Sequence, residues 1–300
     1  MRVLADADVL AVITPRLAVE AARECLLAAH HGTLIGPPRV HVPAGPTDLV
    51  FTVGGLADGP AGFRVYGLWP GDSDQIVAVW HGDGRLAGVV TGTLLGAFRT
   101  GALGAVALDA LAPAPLRSLA IVGTGVQAWT QLWASSAVRQ PDEVRVYSRD
   151  PERRAAFARR GREELGLSVR AAASAREAVE GAEAIILATT ARQPAVESAW
   201  LDAALCVSTV GPKFTDGHEL PLEVISEAEL VVSDSPIELS SLDDPLWNST
   251  PITHLGQLVA EGSYHGEGCR IFASAGLAGS EVLLAQRLLA ASSGSGGPGG

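Results

Sequence analysis

Cysteine is scarce in this chain: Cys25, Cys206 and Cys269 are odd in number and far apart in 300 residues. That excludes a disulfide framework and any zinc site built on paired cysteines, and each thiol is expected as a small core hydrophobe. Basic residues are in deficit, 22 Lys+Arg against 33 Asp+Glu, for a net charge of −11. This balance argues against a nucleic-acid-binding surface. The opening M-R-V-L-A-D-A-D lacks the charged-then-apolar pattern of a signal segment, and no stretch reads as a membrane span. His41, His81 and His218 show no metal-ligand spacing. The expectation is a cytoplasmic protein with no metal, no membrane partner and no nucleic-acid partner.

What is present is globular. Hydrophobic residues make up 47% and charged ones 18%, enough for one large domain or two ordinary ones. A small molecule is the default partner, and an anionic one would need a local cationic site.

The chain changes texture twice. Thr14-Pro15 starts a helix that Gly32 follows, with Val19, Ala22, Leu26 and Ala29 on one face. From 34 to about 92, short apolar runs split by Gly and Pro predict a largely antiparallel sheet. A second helix is predicted over 93–112, ahead of Pro113 and Pro115. Beyond it, strands at 119–122, 144–147, 184–188, 205–210 and 230–232 alternate with helices, which predicts a parallel sheet covered on both faces. The predicted class is therefore α/β, with a Rossmann dinucleotide-binding domain joined to an α+β domain. The tail S-S-G-S-G-G-P-G-G (292–300) is expected to be disordered.

Gly123-Thr124-Gly125-Val126-Gln127-Ala128 is G-x-G-x-x-A, placed where a strand ends and a helix begins. The first glycine permits the tight turn and the second lets backbone approach a pyrophosphate. The small last residue lets helix and sheet pack, while the helix N–H groups face the phosphates. A ligand-free tight turn is the other reading of the pattern. At the end of the second strand, where an NAD site usually keeps an acid for the ribose, stand Ser148, Arg149 and Asp150, with Arg153 and Arg154 a turn later. A hydroxyl and a guanidinium suit the 2′-phosphate of NADPH rather than NADH. Asp150 either caps the next helix ahead of Pro151 or reaches the ribose. Thr189 and Val210, at the ends of later strands, complete the expected cofactor contacts.

Several ordered motifs resemble the ornithine cyclodeaminase/μ-crystallin family. They are P-P-R (37–39), F-R-V (63–65), F-R-T-G-A (98–102), I-V-G-T-G-V-Q-A (121–128), A-T-T-A-R-Q-P (188–194), V-G-x₇-E-L (210–220) and I-F-A-S-A-G-L-A (271–278). The resemblance implies a substrate-binding and dimerisation domain over 1–114, completed by a C-terminal helix near 277–291. It implies a Rossmann domain over 115–276 and a homodimer. It also implies nicotinamide-dependent chemistry that interconverts amino acids with imines or ketimines. Arg39, Arg64 and Arg99 match the positions that hold a substrate carboxylate, with Thr100 adding a hydroxyl to the cofactor side. Fixing that carboxylate sets the path of a hydride to the neighbouring carbon.

The chain departs from the family pattern in four places. Arg64 stands where a lysine is usual, and guanidinium binds a carboxylate without moving a proton. Gly96 stands where a threonine is usual, and Ala273 replaces a lysine. Lys213 aligns with the family's acid, so the expected site holds four cations and no certain carboxylate. Such a site repels a substrate with a second ammonium, such as ornithine. An imine, a 2-oxo acid or a more anionic carboxylate is expected instead, with Lys213 as proton donor or as an orienting cation. Asp216 replacing the acid would restore a cyclodeaminase. A carrier that binds NADPH without catalysis is the remaining alternative.

Overall fold

The computed structural model describes residues 2–69, 73–241, 244–262 and 264–294. Chain contacts divide it into two compact units, Met1–Arg99 with Gly276–Gly300, and Thr100–Ala275. The expected division at 114/115 thus lies against one at Arg99/Thr100, inside the helix Leu94–Leu111. This helix is long and apolar enough to cross a membrane by length and composition, contrary to the sequence reading, and most of it is buried. Its apolar surround marks it as a core element of the described chain.

The first unit is built on a seven-stranded sheet. Its path runs Arg2–Leu4, Leu86–Gly92, Gln75–Trp80, Ala61–Gly67, Thr47–Leu56 and Leu34–Ile35, and Val40–Ala44 also pairs with Thr47–Leu56. All pairs except the first are antiparallel. Alternation along the strands sorts side chains between two faces. Val50, Thr52, Val77, Val79 and Val90 are buried on the face that the helix Ser280–Gly294 covers. Pro15–His30 lies beside that helix, Thr14 capping it through Leu17 N. The helix Ser280–Gly294 includes 292–294, which were expected in a disordered tail; their helical hydrogen bonds continue the turn, and 295–300 lie outside the described residues.

The main sheet of the second unit has eight strands, all parallel, in the order Val169–Ala171, Glu143–Tyr147, Ser118–Val122, Ala184–Leu187, Cys206–Thr209, Arg270–Ala273, Leu230–Ser233, Thr253–His254. Numbered along the chain this is 3-2-1-4-5-8-6-7, whose first five members follow the doubly wound order. Central strands such as Ala184–Leu187 and Cys206–Thr209 are buried throughout because helices cover both faces. Arg270, buried in its strand, donates to Leu111 O and so ties off the end of the Leu94–Leu111 helix.

Candidate functional site

In the second unit the order of strands reverses between Ser118–Val122 and Ala184–Leu187, and ligands of such sheets bind at the carboxyl ends there. Gly123 leaves the first of these strands at φ +120°, and a Cβ on it would lie 2.2 Å from Ala188 O. Only glycine fits. Gly125 begins the helix Val126–Ser135 with no side-chain cap and open space on its Cβ side, so the first-turn N–H groups are left for a ligand. A cavity of about 330 Å³ beside it is lined by Thr124, Gly125, Val126, Arg153 and Arg160 among others. Gln127 Oε1 is buried without a partner among the described residues. These features fit a dinucleotide.

At the end of the second strand, Asp150 caps the helix Pro151–Leu165, its Oδ1 accepting from Glu152 N and Arg153 N. Ser148 Oγ donates to Asp150 O, and Arg154 donates to Ser148 O. Arg149 and Arg153 are exposed. The carboxylate at this position therefore serves the helix.

Thr189 and Val210 follow the two central strands and are joined by a residue with no expected role. Glu219 is fully buried and accepts from Thr189 N and Oγ1, Thr209 Oγ1, Val210 N and Gly211 N. One carboxylate staples both strand ends. Thr100 lends its carbonyl to Gln131 Nε2.

Lys213 lies on the short strand Lys213–Phe214, paired antiparallel with Gly217–His218. Its Nζ donates to Gly211 O at 2.6 Å and Val210 O at 3.3 Å. Trp247 Nε1 donates to Lys213 O, and Asp244 accepts from Thr215 N and Oγ1, which fix this hairpin. Asp216 is exposed and pairs with Arg192 at 3.4 Å. Cys206 and Cys269 are pushed up by burial to about 12 and about 11, so neither is a thiolate nucleophile.

In the first unit the three arginines come together. Arg64 projects from Ala61–Gly67, Arg99 from the start of Leu94–Leu111, and Arg39 from the segment before Val40–Ala44. Arg39 Nη2 donates to Gly276 O at 2.7 Å. A Cβ on Gly276, which has φ +87°, would lie 2.4 Å from Arg39 Nη2 and 2.7 Å from Arg99 Nη1. The sequence reading offered no certain carboxylate for this cluster, and the structure supplies one. Glu281, 2% exposed, offers Oε1 to Arg99 Nη2 at 2.5 Å and to Arg64 Nη1 at 3.1 Å. Burial alone would push its carboxyl up, but the Arg99 and Arg64 guanidinium groups outweigh this and hold it at about 2. Burial pushes Arg64 down, partly offset by Glu281. Arg64 also lies 4.0 Å from the centre of the Tyr66 ring. The Nε atoms of Arg64 and Arg99 are buried without partners among the described residues. Buried donors of this kind suit a ligand carboxylate.

A family model described as "Ornithine cyclodeaminase/mu-crystallin family" matches residues 3–291. The ketimine reductase mu-crystallin of Mus musculus is 32% identical over 206 residues, 68% of this chain and 64% of that protein. The Δ1-pyrroline-2-carboxylate reductase of Bacillus cereus is 33% identical over 217 residues, 68% of this chain and 66% of that protein. The chain thus aligns with slightly less than two thirds of the length of these curated relatives. A solved structure of Thermococcus litoralis Δ1-pyrroline-2-carboxylate reductase, in complex with NADH and L-proline, superposes with a TM-score of 0.86 at 26% identity, covering 98% of both chains.

Proposed function

Because the chain belongs to the ornithine cyclodeaminase/mu-crystallin family, we propose that it is a nicotinamide-dependent reductase of the C=N bond of a 2-imino acid. The observation that carries this reading is the convergence of Arg39, Arg64 and Arg99 around Gly276 and Glu281. Relatives named ketimine reductase and Δ1-pyrroline-2-carboxylate reductase favour a ketimine or cyclic imine bearing a carboxylate.

When bound, the nicotinamide supplies a hydride to the imine carbon. The three arginines hold the carboxylate on that carbon and fix the direction of attack. Arg64 stays charged throughout, so it orients and does not pass a proton. Lys213, the chain's one lysine, is the proposed donor to the imine nitrogen. Val210 O and Gly211 O hold its ammonium in place. The C=N π bond is replaced by one C–H and one N–H bond, giving a secondary amine from a cyclic imine.

Gly123, Gly125, Val126 and Gln127 would hold the dinucleotide, flanked by Thr100, Thr189 and Val210. Asp150 is engaged as a helix cap. That leaves Arg149 and Arg153 to meet a 2′-phosphate and supports NADPH over NADH. Glu281 lowers the positive charge of the arginine cluster, which weakens the electrostatic argument against a diamino acid. The cyclodeaminase alternative still lacks its acid: Lys213 aligns with that position, and Asp216 is turned out to Arg192.

The partner we propose is a second copy of the chain. One sheet face of the first unit carries Val40, Phe51, Val65 and Ile76 in a single cross-strand row, with Val42 and Val53 on the same face. Val40, Val53 and Ile76 are 57%, 51% and 48% exposed. A contiguous apolar face of this kind is a surface for association.

The test is absorbance of NADPH with a panel of cyclic imine carboxylates, acyclic imines and 2-oxo acids. Oxidation by an imine carboxylate is expected. Ammonia release from ornithine without net cofactor change would replace the reductase by a cyclodeaminase. Tight NADPH binding with no turnover across the panel would favour the carrier.

A further inference from the structure

We propose that Gly96 is a specificity-determining residue. It clears the space in which the Arg64 guanidinium is held, so that position 64 presents a fixed planar cation to a 2-imino or 2-oxo acid carboxylate. This rests on the reading that the arginine cluster takes a carboxylate.

Gly96 is the third residue of Leu94–Leu111, and its φ lies outside the left-handed region. Backbone geometry therefore does not require glycine, and glycine is among the poorest residues inside a helix. The reason lies in the space around it. A Cβ at 96 would stand 2.6 Å from Arg64 Nη2 and 3.2 Å from Gln75 Oε1. The guanidinium has little room to retreat from it. The Tyr66 ring lies 4.0 Å away, and Nη1 is held by Glu281 Oε1 at 3.1 Å. Any side chain at 96 displaces the guanidinium, whereas the backbone is untouched. The cost falls on the position of a cation more than on the fold.

Two departures in the sequence thus become one. Arginine at 64 and glycine at 96 are matched in volume, as a shorter ammonium and a threonine would be. The arginine answer has a chemical consequence. A guanidinium offers a planar carboxylate two parallel hydrogen bonds and never titrates in the working range, whereas an ammonium is a point charge that does.

The experiment is a double-variant cycle of Arg64→Lys, Gly96→Thr and the combination. It measures calorimetric binding of pyrrole-2-carboxylate, a planar mimic of a cyclic 2-imino acid, with NADPH present. Each single variant is expected to raise Kd by about 10-fold, and the double variant to return to within about 3-fold of the parent. The double variant should also lose affinity at alkaline pH as its new ammonium deprotonates, while the parent does not. A double loss equal to the product of the single losses overturns the proposal, as does a parent that does not bind the probe. Gly96→Ala guards against misfolding: alanine favours the helix, so a raised Kd at undiminished Tm supports the proposal, and an unchanged Kd sinks it. If the cycle behaves as expected but no imine is turned over, the carboxylate site stands and the reductase reading falls.

Discussion

Glu281 shares one oxygen between two guanidinium groups, so the isosteric substitution Glu281→Gln leaves two buried cations facing a neutral amide. This variant should be less stable by about 3 kcal/mol, the scale for breaking a buried ion pair, read as a lower Tm. The pH dependence has a definite sign. The carboxyl titrates near 4.5 when unfolded and at about 2 when folded, so its contribution is full above 4.5 and is lost as pH falls toward 2. The parent should therefore lose more stability than Glu281→Gln over that window in acid denaturation. At Lys213, Lys213→Asp should lower kcat at least about 10-fold if proton donation matters; unchanged turnover would reduce the residue to scaffolding. Arg64 was legible in the sequence because a charge inside an apolar strand needs a reason. Glu281 sends the same signal from within A-G-S-E-V-L-L-A, but its partners lie 217 and 182 residues away, and no local pattern announces those pairings.

Among elements, five of the eight parallel strands of the second unit were legible, because buried parallel strands are continuous apolar runs, whereas Val169–Ala171, Thr253–His254 and Arg270–Ala273 are too short or too charged to leave one. Asp150 shows where local rules suffice: an acid ahead of Pro151 reads as a cap, and it caps. Asp150→Ala should cost about 1 kcal/mol in chemical denaturation. Arg149→Ser with Arg153→Ser should weaken NADPH binding far more than NADH binding, measured by fluorescence titration; equal losses would remove these residues from a 2′-phosphate role. Glu219 was visible only as part of a motif. Its five hydrogen bonds come from the last residue of one strand and from the segments that follow two neighbouring strands, and their register is set by the sheet. The hairpin carrying Lys213 was also hidden, since strands of two residues leave no periodicity to read.

At the scale of the whole molecule, the exposed row on the first unit's sheet predicts a change of assembly. Ile76→Lys or Val53→Lys should shift the particle toward monomer in size-exclusion chromatography with light scattering, leaving Tm nearly unchanged because both side chains are half exposed. A parent that is already monomeric would end the dimer proposal. The two-unit plan was legible from the change of strand texture, but not the placement of its division, because one apolar helix contributes residues to each unit. The first unit is assembled from both ends of the chain, with Gly276 and Glu281 arriving after the whole second unit. Synthesis proceeds from the N-terminus at about 5–20 residues per second. Emerging from the ribosome, the arginines therefore spend an interval of ~10 s or longer without their counter-ion. The nucleotide fold can be complete while the arginine cluster is still three unanswered charges, and its final geometry waits on one of the last helices to be made.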